Sequence, residues 1–252
     1  MVSARWRHAL VVVLLAWTSM LGAARAAEPV LVGAYPFLPF VHNGAGLTYE
    51  LVDAMNRFQH DYVFQLVDTS ANRRYRDMSQ GAFQMMLFEN IKWGWDAQTV
   101  EASKVFLQGD GEVFVARSAP GRDASYFNDL AARHILAVTG YHYGFANFEA
   151  DPTILSRNYR ITFSANCEIS LRNLLAGRGD VAVVTKSYLS NYLLNHREAA
   201  SQLLVSDHFD QTYAHAALVR KGTRPTAQEL DQLFDRMRAA GVLKKLWARH
   251  GM

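Results

Sequence analysis

The stretch "LRNLLAGRGDVAVV", Leu171 to Val184, reads as the end of a helix, a glycine stop and a buried strand. The same cadence occurs earlier in "YRDMSQGAFQMMLF", Tyr75 to Phe88. A unit that occurs twice suggests two similar lobes. Around the first copy lie a strand, "VLVGAY", an amphipathic helix, "GLTYELVDAMNRFQ", and a second strand, "YVFQLVD". Leu47, Leu51, Met55 and Phe58 give that helix its apolar face. Around the second copy lie the strand "HILAVTG" and the helix "KSYLSNYLLNH". Between the two sets stand the strand "GEVFVAR" and a linker-like "RSAPGRDAS". The strand "AHAALVRKG" and a helical tail from Thr226 close the chain. Thr226 followed by Glu229 has the capping-box pattern, and Gly241 divides the tail. Strands alternating with helices argue for an α/β fold.

The first 26 residues read as an export signal. Arg5 and Arg7 precede an apolar run too short for a comfortable membrane span, and "ARA" precedes Ala27. The leader carries three arginines and no acid, so removing it takes the net charge from +3 to zero. No basic footprint for nucleic acid then remains, and "NRRYR" is too local to restore one. Cys167, the only cysteine, has no partner for an internal disulfide and reads as a small buried hydrophobe. No cysteine stands at the cleavage site to take a lipid. A periplasmic, unanchored monomer is expected.

"FENIKWGWD", Phe88 to Asp96, leaves the strand "FQMMLF" and sets Trp93 and Trp95 around Gly94. Two readings stand side by side. The tryptophans cap a core edge, or they form an aromatic wall of a ligand cleft with Glu89 or Asn90 as the polar contact.

The order of these segments resembles the bacterial extracellular solute-binding proteins of family 3, the polar amino acid receptors of ABC importers. The carriers are "FLPF" before "GLTYELVDAMNR", then "RRYRDMSQGAFQMML", "GEVFVARS", "SLRNLLAGRGDVAVV" and the tail from "ALVRKG" onward. The resemblance implies a type II periplasmic-binding fold, two α/β lobes joined by two crossover strands with the ligand between them. Residues 27–116 and 217–252 would form one lobe and 117–216 the other, with hinges in "VFVAR" and "HAALVR". A small polar or aromatic solute would close the lobes and be handed to an ABC permease. A membrane signalling protein is the alternative partner, and a dehydratase-type or peptidoglycan-cleaving enzyme on the same fold the more distant reading.

By resemblance, Phe37 takes the place of the aromatic that stacks on the ligand. Arg73 matches an arginine of the short helix. Two family features are replaced. "ENIKWGWD", with Asp96, stands where an arginine grips the ligand carboxylate, and Thr185 with Lys186 stands where an aspartate takes the ammonium. "GYHYG", with Tyr141, His142 and Tyr143, replaces an anion-binding turn. Arg74 and Arg76 read as solvated and Glu50 as structural. Glu89, His142 and Glu168 are available for acid–base work, yet no nucleophile motif, metal spacing or phosphate loop is present. The chain therefore reads as non-catalytic, without metal or cofactor.

Overall fold

Residues 27–250 are described in the computed structural model; the expected leader, residues 1–26, lies outside them. Strand β1 (Glu28–Ala34), helix α1 (Leu47–Phe58) and strand β2 (Tyr62–Asp68) form a parallel unit, with Glu28 opposite Tyr62 and Ala34 opposite Asp68. Leu47, Leu51 and Met55 are wholly buried beneath α1, each worth about 1.5–3 kcal/mol of apolar burial. The short helix α2 (Arg74–Ser79) ends before Gly81, whose φ of 78° only glycine adopts freely. Strand β3 (Met85–Glu89) then pairs parallel to β1.

After β4 (Val100–Ala102) comes β5 (Leu107–Arg117). Next are β6 (Ile135–Val138), α3 (Pro152–Asn158), β7 (Ile161–Ser164), α4 (Cys167–Leu175), β8 (Val181–Thr185), α5 (Lys186–Asn195) and α6 (Arg197–Ala200). The return strand β9 runs from Leu203 to Arg220, far longer than the expected "AHAALVRKG". Helices α7 (Ala227–Ala239) and α8 (Val242–Arg249) finish the chain. The capping box at the start of α7 is complete: Thr226 Oγ1 accepts from Glu229 N at 3.2 Å, and Glu229 Oε2 accepts from Thr226 N at 2.8 Å. Gly241, at φ 71°, separates the two helices.

Strand order is β2-β1-β3-β9-β5-β8-β6-β7, with β4 also on β9. The long antiparallel pair β5–β9 therefore belongs to both halves of the sheet. Its β9 end, Ala216 to Arg220, pairs with β3 and β4. Its other end, Glu112 to Ala116 of β5, pairs with Thr185 to Val181 of β8. Thus "VFVA", read from sequence as hinge, already lies in the second half's sheet. The register of β5 with β9 shifts between Gln108 and Gly111, between Glu112 and Val113, and between Val113 and Val115. β8 is buried along its whole length because the sheet is covered on both faces, which explains its unbroken apolar run. No helix among the described residues is long and apolar enough to cross a membrane.

Candidate functional site

The site begins with an irregularity in β3. Met86 lies opposite Leu218 and Glu89 opposite Ala216, so β3 spends three steps where β9 spends two. That extra residue is a β-bulge. Phe88 absorbs it at φ 58°, a conformation disfavoured for a bulky side chain and kept only where surrounding packing fixes it. Beyond the bulge, Glu89 is fully buried rather than facing water.

Glu89 meets Arg74, which α2 turns inward with Met78 one helical turn later. Arg74 Nε lies 3.5 Å from Glu89 Oε1, and Trp95 Nε1 donates to Glu89 Oε2 at 2.8 Å. The guanidinium carbon sits 4.7 Å from the Tyr35 ring centre and 4.5 Å from that of Tyr75. Arg74 Nη1 donates to the Ala71 carbonyl at 2.6 Å. Burial opposes the charge of Arg74, but Glu89 and the surrounding phenols outweigh it and hold the guanidinium charged. Burial likewise pushes Glu89 up, while Arg74, Trp95 and Tyr35 pull it back.

A cavity opens beside Arg74, between the halves. From the first half it is lined by Tyr35, Phe37, Arg74 and Trp93. The second half gives Gly140, Tyr141 and His142, and the crossing strands give Glu112, Gln211 and Tyr213. Its volume is about 220 Å³, part of it open to solvent, yet it is so narrow that there is room for about one water. The halves touch across it. Trp93 Nε1 donates to Gln211 Oε1 at 2.9 Å, Tyr75 Oη lies 2.7 Å from His142 Nε2, and Tyr141 Oη donates to the Pro36 carbonyl at 3.3 Å. Two glycines allow this approach. A Cβ on Gly94 would stand 3.1 Å from His142 Cε1, and one on Gly140 2.3 Å from Asn72 Oδ1; both residues have positive φ. Phe37 is the centre of the aromatic lining, edge-on to Tyr141 at 5.4 Å, Tyr213 at 5.7 Å and Trp93 at 5.9 Å.

Glu112 differs from Glu89. It is 1% exposed, and its Oε2 accepts from Gln211 Nε2 at 2.7 Å. The same Gln211 nitrogen also donates to the His142 carbonyl. Among the described residues no Lys, Arg or His forms an ion pair with Glu112. Burial first, then the negative charge of Asp210, pushes its carboxyl well above the usual range. Asp210 accepts from Gly144 N and Phe145 N, both at 2.7 Å; burial nevertheless moves it up to about 6. Deeper in, His215 touches Phe40, Phe88 and Tyr213, and burial pushes it down to about 3.

Of the residues singled out from sequence, Phe37, Trp93, Tyr141 and His142 line the cavity, and Glu89 and Trp95 stand behind it around Arg74. Seven stand elsewhere. Arg73 is exposed, 3.8 Å from Asp77, and the arginine in the cleft is Arg74, expected to be solvated. Asn90 shapes its own loop by accepting from Lys92 N at 3.0 Å. Tyr143 is wholly buried, its hydroxyl bonded to the Val138 backbone. Thr185 is wholly buried, 3.5 Å from Tyr213 Oη. Lys186 lies over Phe209 and borders a separate groove with Asp110 and Asn191. Asp96 is exposed and closes a turn through Gln98 N and Thr99. Cys167 is buried, its thiol pushed up to about 12 by desolvation, which leaves it unreactive.

Sequence reading missed Tyr35, Arg74, Glu112, Gly140, Gln211 and Tyr213. Met78 four residues after Arg74 was the available signal for the arginine. An acid opening the apolar run of β5 was the signal for Glu112. Gln211 and Tyr213 alternate on one face of β9, but only once that strand is recognised.

No protein-family model matches the chain, and no curated protein matches its sequence. Solved structures do resemble it. The ligand-binding core of GluR0 from Nostoc punctiforme, in complex with L-glutamate, has a TM-score of 0.68 at 14% identity, over 88% of this chain and 98% of that one. An amino acid ABC transporter substrate-binding protein from Streptococcus pneumoniae, bound to L-arginine, has 0.65 at 16%, over 88% and 94%. An ancestral amino acid-binding protein, described as a precursor of cyclohexadienyl dehydratase, has 0.67 at 15%, over 89% and 95%. The fold is that of the two-lobed periplasmic binding proteins.

Proposed function

We propose that the chain is a non-catalytic, periplasmic solute-binding protein. It captures a small polar or aromatic solute by closing its two lobes and delivers it to an ABC importer. The observation that carries this reading is the cavity at Arg74 and Glu112, lined from both halves and narrowed by the direct contacts of Tyr75 with His142 and of Tyr141 with Pro36. A cavity with room for about one water cannot admit a solute unless the lobes part, so binding is coupled to opening and closing. The hinge is the stretch where β5 and β9 change partners, near Gly109 to Gly111 and Gln211 to Tyr213. One lobe then comprises the chain up to that stretch together with the tail, and the other comprises what lies between. The solved neighbours include amino-acid-binding components of ABC transporters, which supports the transport role.

Native mass spectrometry of protein purified from its own host identifies the solute that it carries. Small-angle scattering of the stripped protein, with and without that solute, is expected to show a smaller radius of gyration when bound. Equal radii despite confirmed binding would remove the clamp from the reading.

A further inference from the structure

The cavity's charges are arranged unequally, and this points to the class of solute. One feature of the cavity, Arg74, and one beside a neighbouring pocket, the Gly144 and Phe145 amides, could hold a carboxylate, and each already faces an acid of the chain itself. Arg74 is ion-paired with Glu89, 3.5 Å from its Nε with no hydrogen bond between the two atoms, and has the Ala71 carbonyl on Nη1 and aromatic rings against its faces. The backbone donors Gly144 N and Phe145 N, at the end of the "GYHYG" turn, are filled by the Asp210 carboxylate. Lys92 is exposed, and Lys186 borders a different groove. Arg74 is therefore the only cation among the lining residues, and it is compensated.

Glu112 presents the opposite case. Its carboxyl has no cationic partner among the described residues, and Asp210 and Asp110 add negative potential around it. Gln211 Nε2 sits between Glu112 Oε2 and the His142 carbonyl. Those two acceptors converge on one point, and a neutral amide fills it. An ammonium that displaced the amide, with Glu112 giving up its proton to solvent, would make the same hydrogen bonds with charge assistance. Phe37, Trp93, Tyr141 and Tyr213 supply ring surface around the site, suited to a cation and to the apolar body that carries it. Phe37 and Trp93 belong to the first half and Tyr141 to the second, so opening parts the rings and closing gathers them on the solute.

We infer that the solute is an organic cation without a carboxylate, an amine or quaternary ammonium on an apolar or aromatic body, with its charge on Glu112 inside these rings. The inference rests on the solute-clamp reading and narrows it.

The test is calorimetric titration of the stripped mature chain with probes that share a body and differ in charge. Tyramine is the cation, 4-hydroxyphenylacetate the anion and tyrosine the zwitterion; choline and agmatine extend the cation arm. At least one of the three cations is expected to bind, and tyrosine and the acid at least tenfold more weakly than that cation. Glu112→Gln is expected to weaken that cation about tenfold or more, the effect of losing a charged hydrogen bond, with the melting temperature not lowered. Binding of tyrosine or the acid as tightly as the cations overturns the inference. If scattering shows closure with either of them, the clamp reading stands without it. Failure of all three cations, or equal cation affinity in Glu112→Gln, also overturns the inference. The clamp reading is then judged on the co-purified solute alone.

Discussion

The end of β3 and the middle of β5 each bury a glutamate beside the same cleft. Glu89 is met by Arg74 at 3.5 Å and by the Trp95 indole at 2.8 Å, and it lies behind the cavity wall. Glu112 is met by the Gln211 amide at 2.7 Å, and it lies on the wall itself. A bulge and a strained Phe88 hold the first in place; the second has a regular ladder with β8 on one side and a bulge against β9 on the other, where Glu112 pairs with Gln211 and Val113 with Phe209. The difference separates two uses of a buried acid. Glu89 completes an internal ion pair that fixes α2 against β3. Glu112 has no cationic partner among the described residues, and burial favours its protonated form instead.

The largest expected effect breaks the compensated side. Arg74→Met removes the cation and leaves Glu89 buried without it, a loss of about 3–5 kcal/mol. For a chain of this length that lowers the melting temperature by about 6–20 °C. The double variant Arg74→Met/Glu89→Gln is expected to recover most of it, because the uncompensated charge is then gone too. Thermal denaturation followed by circular dichroism reads both. A drop of less than about 3 °C in the single variant would mean that the pair does not hold α2.

Glu112→Gln sharpens the other side, through pH. The folded protein holds the Glu112 proton above the usual carboxylate range, so it binds more protons than the unfolded chain from about pH 4.5 upward. Across that window the wild type loses stability as pH rises. The variant has no such group. Its melting temperature relative to wild type should therefore climb between pH 5 and pH 8. Each unit of pKa displacement corresponds to about 1.4 kcal/mol, or about 3–6 °C here. His215 and His142, both shifted down by burial, act in the opposite direction, destabilising the fold as pH falls below about 6.5. They are present in both proteins and drop out of the difference. A flat difference would mean that water reaches Glu112 and keeps it ionised.

Much of the fold was legible in the sequence because its signals are local. The twin helix–glycine–strand units, the face of α1 and the Thr226 capping box depend on residues a few positions apart, and each has its structural counterpart. β9 was only half legible. Its first part, "LLVSDHFDQTYA", lacks an apolar period because its register with β5 shifts repeatedly and its Gln211 and Tyr213 face the cavity. The site was harder for a related reason. Arg73 and Arg74 are adjacent and chemically identical, and only helix phase, set by where α2 begins, decides which is buried. Trp93 and Trp95 look equivalent around Gly94. Yet one faces Gln211 across the cleft and the other faces Glu89 behind it. No sequence spacing encodes the bulge at Phe88 that aims Glu89, since its cause is register against a strand more than a hundred residues away.

The smallest expected effect concerns the contact that joins the two sides. Tyr75 Oη lies 2.8 Å from the Trp93 carbonyl and 2.7 Å from His142 Nε2. His142 Nδ1 faces the Phe148 carbonyl at 2.6 Å, so in the neutral ring the proton is assigned to Nδ1 and Nε2 is an acceptor. Burial lowers the His142 pKa and favours that neutral ring. The phenol has one proton for two acceptors, and the latch between halves is worth a single ordinary hydrogen bond. Tyr75→Phe keeps the ring over Arg74 and removes only that bond. The expected cost is about 0.5–1.5 kcal/mol, a melting temperature about 1–6 °C lower. If the whole bond acts on closure, the solute binds about 2- to 13-fold more weakly, with a larger radius of gyration before binding. Between pH 8 and pH 6 the gap between wild type and variant should stay constant, because neither Tyr75 nor the neutral His142 changes charge there. A gap that widens as pH falls through about 6.5 would mean that His142 is an imidazolium in the closed form. It would then donate to Tyr75, while Tyr75 donates onward to Trp93. In that case two hydrogen bonds, one of them charged, would join the halves.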